Sequence, residues 1–148
     1  MKKSEMIAAI ENAKLTHQEQ MHKIELVISG EEVENPTPVS KIECQCGEWF
    51  NGNREAIIEI LGLQLYERLD KSHEKWHLDY VNIYNLFFKE EKKKGLMKKL
   101  FSFTDNREMK VDKAKLYYIE LKKDTEELLN ITESALRRVS ALSNTKFS

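Results

Sequence analysis

Apolar side chains recur near the start of the chain at Met6, Ile10, Ala13, Met21, Ile24 and Ile28, with His17 falling on the same row. These steps of three and four residues predict a helix over about residues 3–29 with one histidine in its buried seam. His22 leaves that seam beside Glu19 and Leu26, toward solvent or a groove edge, and Gly30 supplies a C-terminal stop. Pro36 and Pro38 make residues 31–41 a connecting loop, because proline disrupts helical hydrogen bonding and restricts the residue before it. A short helix or turn from Ile42 to Phe50 follows, and Asn51-Gly52-Asn53 breaks the chain again. From Arg54 to about Phe88 a second long helical pattern, with a kink at Gly62, directs Leu61, Leu65, Leu69, His73, Trp76, His77, Tyr80, Tyr84 and Phe87 inward. Residues 89–110 read as a helix end, an exposed connection and a new start. The last long helix is expected from about Glu108 to Leu142, with Leu116, Ile119, Leu128, Ile131, Ala135, Val139 and Leu142 on its apolar side, and residues 143–148 are expected to fray.

Three long helices and one short one fit an all-α, four-helix-bundle-like fold with a short additional helix carrying the cysteines. The 148 residues suit a single domain with its core over about residues 8–142. Five glycines and two prolines leave little turn material for a sandwich or barrel. The charge balance, 24 basic against 25 acidic residues, gives a net charge of -1 and no overall basic field, so nucleic acid is not an expected partner. The apolar run Met6–Ile10 ends at Glu11, too short for the core of a secretory signal, and no other stretch approaches the roughly 20 apolar residues of a spanning helix. A soluble, cytoplasmic protein is expected.

Placing the histidines and cysteines changes the picture. His73 and His77 lie four apart, so their rings project from successive turns of one helical face. His17 arrives from the first helix and Cys44 or Cys46 from the short segment. Imidazole nitrogen and thiolate sulfur are preferred donors for Zn²⁺, and four of them close a tetrahedron. Each residue alone also has an ordinary explanation: a polar pair on a helix, a hydrogen-bonded core histidine, a cysteine acting as a small hydrophobe. Their convergence on inward rows is what favours the metal.

The run Cys44-Gln45-Cys46-Gly47-Glu48-Trp49-Phe50 resembles the Cys-x-[Leu/Phe]-Gly-x-Trp-[Leu/Ile/Phe] motif of the chemoreceptor zinc-binding domain, CZB. His73-Glu74-Lys75-Trp76-His77 is similar to that family's His-x-x-aromatic-His motif, and His17 stands at its first-helix histidine, with Gln20 where a Trp is usual. The resemblance covers about residues 8–142 and extends to the regulatory domain of zinc-controlled diguanylate cyclases. It implies a Zn²⁺ site made by His17, Cys44, His73 and His77. Cys46 departs from the motif, whose Leu or Phe it replaces; the distance to Gly47 and Trp49 favours Cys44 as the sulfur donor. Trp49 and Trp76 are expected to pack as core aromatics, with control of water access to the ion as the weaker alternative.

What the resemblance implies about function is a regulatory module that answers to zinc or to oxidation of the metal-bound cysteine, acting in chemotaxis or cyclic di-GMP signalling on a chemoreceptor or diguanylate cyclase, in trans or within a longer protein. A homodimer is expected, partly from the family and partly from the apolar stripe between Leu116 and Leu142. Four protein donors leave no open position for water, which argues against a zinc-dependent enzyme. A hemerythrin-like di-iron bundle would need about five histidines and bridging carboxylates, against four histidines in this chain. The basic, apolar run from Lys92 to Phe101 reads as a solvated helix terminus rather than a membrane contact.

Overall fold

A computed structural model describes residues 1–89 and 105–147. Among these residues the chain is all-helical and bundle-like, with no strand: α1 (Lys3–Ile28), α2 (Gln45–Gly52), α3 (Arg54–Leu61), α4 (Leu63–Tyr84) and α5 (Asp105–Ala141). The 37-residue α5 is the spine against which α1 and α4 pack. No helix among the described residues is long and apolar enough to cross a membrane. The run from Lys92 to Phe101 lies outside the described residues.

Met6, Ile10, His17, Met21 and Ile24 of α1 are buried, as the seam requires. Gly62 is a break rather than a kink: its φ of 81° is the left-handed conformation that suits glycine, and it ends α3 and starts α4 in a new direction. α4 finishes in a single π-helical turn, Asn85–Lys89.

Leu128, Ile131, Ala135 and Val139 of α5 are buried as expected, and the departure lies in the first half of the helix. Leu116 and Ile119 are exposed at 67% and 53%, while Ala114, Leu121, Asp124, Thr125, Leu128, Ile131, Thr132, Ala135 and Val139 face inward. The inward row therefore runs through Ala and Thr positions that carry little apolar weight in a pattern. Thr125 and Thr132 donate their hydroxyls to the carbonyls of Leu121 and Leu128, each at 2.7 Å, which satisfies the polar atom and leaves a methyl to pack.

Two core clusters result. One joins Met6, Ile10, Phe50, Ile57, Tyr66, Ala135 and Val139, so the short helices close one half of the bundle. The other joins Met21, Ile24, Trp76, Tyr80, Leu121 and Leu128. Several helix ends are closed from elsewhere in the chain: Lys3 Nζ donates to the carbonyls of Ser140 and Leu142, Arg138 Nε to that of Ile60, and Arg107 to that of Gly30. Beyond α5, Asn144–Lys146 form a 3-10 turn and Phe147 packs on the first cluster.

Candidate metal centre

Between the two clusters, α1 and α4 bring together His17, His73 and His77, each 3–4% exposed. One ring nitrogen from each lies within 4.8 Å of the others. His77 Nε2 is 3.1 Å from His73 Nε2, and Cys44 Sγ is 3.2 Å from the same His73 atom. Around a tetrahedral Zn²⁺ the bond lengths require nitrogens about 3.3 Å apart and nitrogen and sulfur about 3.6 Å apart. The His73 contacts fall a few tenths of an ångström inside that spacing.

The tautomers are set by the backbone. His17 Nδ1 is 2.8 Å from the carbonyl of Ala13, and His77 Nδ1 is 3.0 Å from the carbonyl of Val39. A carbonyl only accepts, so Nδ1 of each ring carries the proton and Nε2 keeps its lone pair. Burial lowers the pKa of His17, holds that of His73 at about 2 and that of His77 at about 4, with the neighbouring rings adding to the effect. Two buried, neutral imidazoles with Nε2 free to donate a lone pair, beside the third ring of His73, form a donor set suited to a metal ion. Among the described residues this cluster contains no carboxylate, which removes the bridging groups a di-iron centre needs.

Cys44 is the N-cap of α2. Its Sγ accepts from Gly47 N at 3.3 Å and donates to the carbonyl of Lys41 at 3.3 Å, with burial raising the thiol pKa. Gly47 is required by close approach: a Cβ there would lie 1.6 Å from the Lys41 carbonyl oxygen and 3.4 Å from His73 Cε1. Cys46, the second residue of α2, is held as a thiol, its pKa pushed up to about 12 by burial. Trp76 is fully buried and stands edge-on to His17 and His77, at 5.1 and 5.0 Å between ring centroids, with its indole N–H donating to Thr125 Oγ1 at 2.8 Å. Trp49 is only partly buried and packs on the first core cluster. His22 lies outside the centre, exposed near Glu25.

Several contributors were not visible as site residues in the sequence. The loop before α2 is drawn over the centre by the Val39 carbonyl, by Tyr80 O–H donating to the carbonyl of Thr37 at 3.0 Å, and by Lys41 Nζ donating to Asp70 at 2.9 Å. Lys75, between the two histidines of α4, bridges Asp79 at 2.6 Å and the buried Asp124 of α5 at 2.7 Å. Backbone carbonyls carry no residue-type signal, and the Asp124 contact crosses 49 residues. A polar groove of about 430 Å³, lined by Thr16, Glu19, Gln20, Glu43 and Gln45, reaches His17, Cys44 and His77 from solvent.

No family model matches the chain, and neither a curated protein nor a solved structure matches it. The likeness to the chemoreceptor zinc-binding domain therefore rests on the motif residues themselves. What the geometry provides is a His-His-His cluster with Cys44 beside it that can hold a metal ion.

Proposed function

We propose that this chain is a zinc-binding regulatory module in which His17, Cys44, His73 and His77 hold one Zn²⁺ and the state of the centre controls the short helices. The observation that carries the reading is the orientation of the rings. Two histidines are fixed by Ala13 and Val39 carbonyls as Nε2 lone-pair donors, and both gather with His73 beside a thiol. Three nitrogens and one sulfur suit Zn²⁺ better than the oxygen-seeking cations. Bound zinc would keep the Cys44 sulfur as a thiolate. A fourth protein donor closes the coordination sphere and disfavours hydrolytic chemistry.

The regulatory half of the reading is supported by the double role of Cys44, which faces His73 and caps α2 with the same atom. Losing the metal or oxidising that sulfur alters the cap, the Lys41 turn and the start of α2 together. The groove gives chelators and oxidants a route to it. Control of a chemoreceptor or a diguanylate cyclase belongs to the same proposal and rests on the motif resemblance. So does a homodimer through α5, supported by the exposed Met109, Leu116 and Ile119. Sedimentation at tens of micromolar protein tests it, and a monomer there counts against it.

Metal analysis and X-ray absorption on the full chain test the centre. The expected result is one zinc per chain with three nitrogens at ~2.0–2.1 Å and one sulfur at ~2.3 Å. A zinc shell without sulfur, or one that survives loss of both His73 and His77, overturns the assignment. Hydrogen exchange with and without zinc, repeated after mild oxidation, tests the switch: residues 42–53 should lose protection, and unchanged protection after zinc leaves reduces the centre to a structural one.

A further inference from the structure

His73 and His77 enclose one turn of α4, and two residues inside that turn reach across to α5. Lys75 Nζ donates to Asp124 Oδ1 at 2.7 Å, and Trp76 Nε1 donates to Thr125 Oγ1 at 2.8 Å. Thr125 passes the second contact on, its hydroxyl donating to the Leu121 carbonyl at 2.7 Å. Two adjacent residues of α4 thus grip two adjacent residues of α5 from between the histidines.

An ion pair at the surface would carry little weight. This one differs because Asp124 is only 6% exposed and its Oδ2 has no hydrogen-bond donor among the described residues. The neighbouring Asp79 carboxylate adds to the need for a shared ammonium. A buried carboxylate stripped of its cation is strongly unfavourable, so the Lys75 contact seats α5 on α4. Lys75 has a second acceptor on its own helix, Asp79 Oδ2 at 2.6 Å. The ammonium therefore keeps a partner if the helices part, whereas Asp124 loses its own. Two discrete arrangements result, a bridge between helices and a pair within α4, and the position of the turn 73–77 selects between them.

We propose that Lys75 and Trp76 carry the state of the metal centre to α5, with Lys75 and Asp124 as positioning residues for the two histidines of α4. This rests on the zinc reading. Zinc held by all four donors would tie the turn 73–77 to α1 and to the start of α2, and Lys75 and Trp76 ride on that turn. Trp76 also stands against the rings of His17 and His77, so a shift of either ring displaces the indole. The exposed Leu116 and Ile119 lie one to two turns before the contact, so the part of α5 that the link moves presents apolar surface to solvent. Coupling is reciprocal: what zinc does to the contact between α4 and α5, that contact must do to zinc affinity by the same factor.

The test separates positioning from charge. Lys75→Met combined with Asp124→Asn removes one charge of each sign and leaves no bare carboxylate inside. In this double variant, shown to be folded by urea unfolding, zinc affinity by chelator competition should fall about tenfold or more, the usual cost of losing a partner that orients a ligand. Lys75→Arg, whose guanidinium can bridge the same two carboxylates, should stay within about threefold of the parent. Lys75→Met alone identifies the cause: by charge alone the loss of a nearby ammonium raises zinc affinity, whereas loss of the link lowers it. In the parent, zinc should slow hydrogen exchange at α5 amides from Leu121 to Leu128 by a similar factor, about tenfold. In the double variant zinc should still protect α1 and α4 and leave those α5 amides unchanged. Unchanged zinc affinity in the double variant, higher affinity in Lys75→Met, or parent α5 amides indifferent to bound zinc each overturn the link. A parent chain that takes up no zinc refutes the metal reading itself, and the link falls with it.

Discussion

Gly47→Ala gives a sharp test of how the centre is built, because a single methyl is added where the backbone leaves no room. The new Cβ would start 1.6 Å from the Lys41 carbonyl oxygen, where carbon and oxygen need about 3.2 Å, so the Lys41 turn and α2 must separate by about 1.6 Å. The two backbone hydrogen bonds of the Cys44 sulfur end on those two residues, one on Gly47 N and one on the Lys41 carbonyl. Moving either by that distance draws the sulfur away from His73, 3.2 Å off. Better helix propensity favours alanine by about 1 kcal/mol, and overpacking against backbone at this distance costs about 3 kcal/mol or more, so a net loss of about 2 kcal/mol or more is expected. Zinc affinity should fall by about 10–100-fold, the usual cost of disturbing a group that positions a ligand. Gly52→Ala is the internal control, in the same helix with nothing within 4 Å of the added carbon, and should be neutral or slightly stabilising. Urea unfolding with chelator competition reads both quantities. A Gly47→Ala chain that matches the parent in stability and zinc affinity would refute the packing argument.

Without metal, acid should unfold the chain from pH 6.5 downward. The pKa values of His73 and His77 lie below the unfolded value of 6.5, so their contribution is present above that pH and is lost as pH falls; Asp124, raised by burial to about 6, acts oppositely, its contribution being lost as pH rises through that value. Between pH 6 and 4 His73 and His77 take up protons on unfolding, His17 adds to that uptake because burial lowers its pKa too, and Asp124 gives one up, leaving a net uptake of at least about one proton and a fall of at least about 1.4 kcal/mol per pH unit; a flat urea midpoint across that range would contradict the buried neutral cluster. His17→Ala should lower zinc affinity by at least about 100-fold and His22→Ala by less than about twofold, since only the first is in the cluster; comparable losses in chelator competition would show the α1 phase to be wrong. Trp76→Phe removes the indole bond to Thr125 and leaves a void behind two donor rings, so a loss of about 2–3 kcal/mol by urea unfolding is expected, and an unchanged midpoint would count against that role.

The elements of the centre were legible where the signal is local. The α1 seam places His17 because helical periodicity fixes position 17 once Met6, Ile10, Met21 and Ile24 are inside. The spacing of His73 and His77 fixes a shared face in the same way. The second half of α5 was legible through Leu128, Ile131, Ala135 and Val139, but its first half was not, since the conspicuous Leu116 and Ile119 point outward while Ala114 and Thr125 point in. Helix α5 buries a row decided by the shapes of α1 and α4, and small or self-bonded residues permit close approach there. Gly62 showed that something happens between α3 and α4, but only its positive φ makes it a break. The loop over the centre acts through the Thr37 and Val39 carbonyls, which every residue type possesses and no sequence pattern reports.

The basic side chains that close distant helix ends give the bundle a particular mode of failure. A helix terminus ordinarily frays alone, because its last carbonyls have only water to release. Here the end of α5 cannot unwind without freeing Lys3 at the start of α1, and loosening of α3 at Ile60 releases the side chain of Arg138 in the last turn of α5. The ends thus exchange favours across more than 70 residues of chain, and local opening is converted into a shared event. Amides in the last turn of α3 and of α5 should accordingly exchange together, and Arg138→Ala and Lys3→Ala should each uncouple one end, leaving a molecule that comes apart piecemeal where the parent opens as a unit.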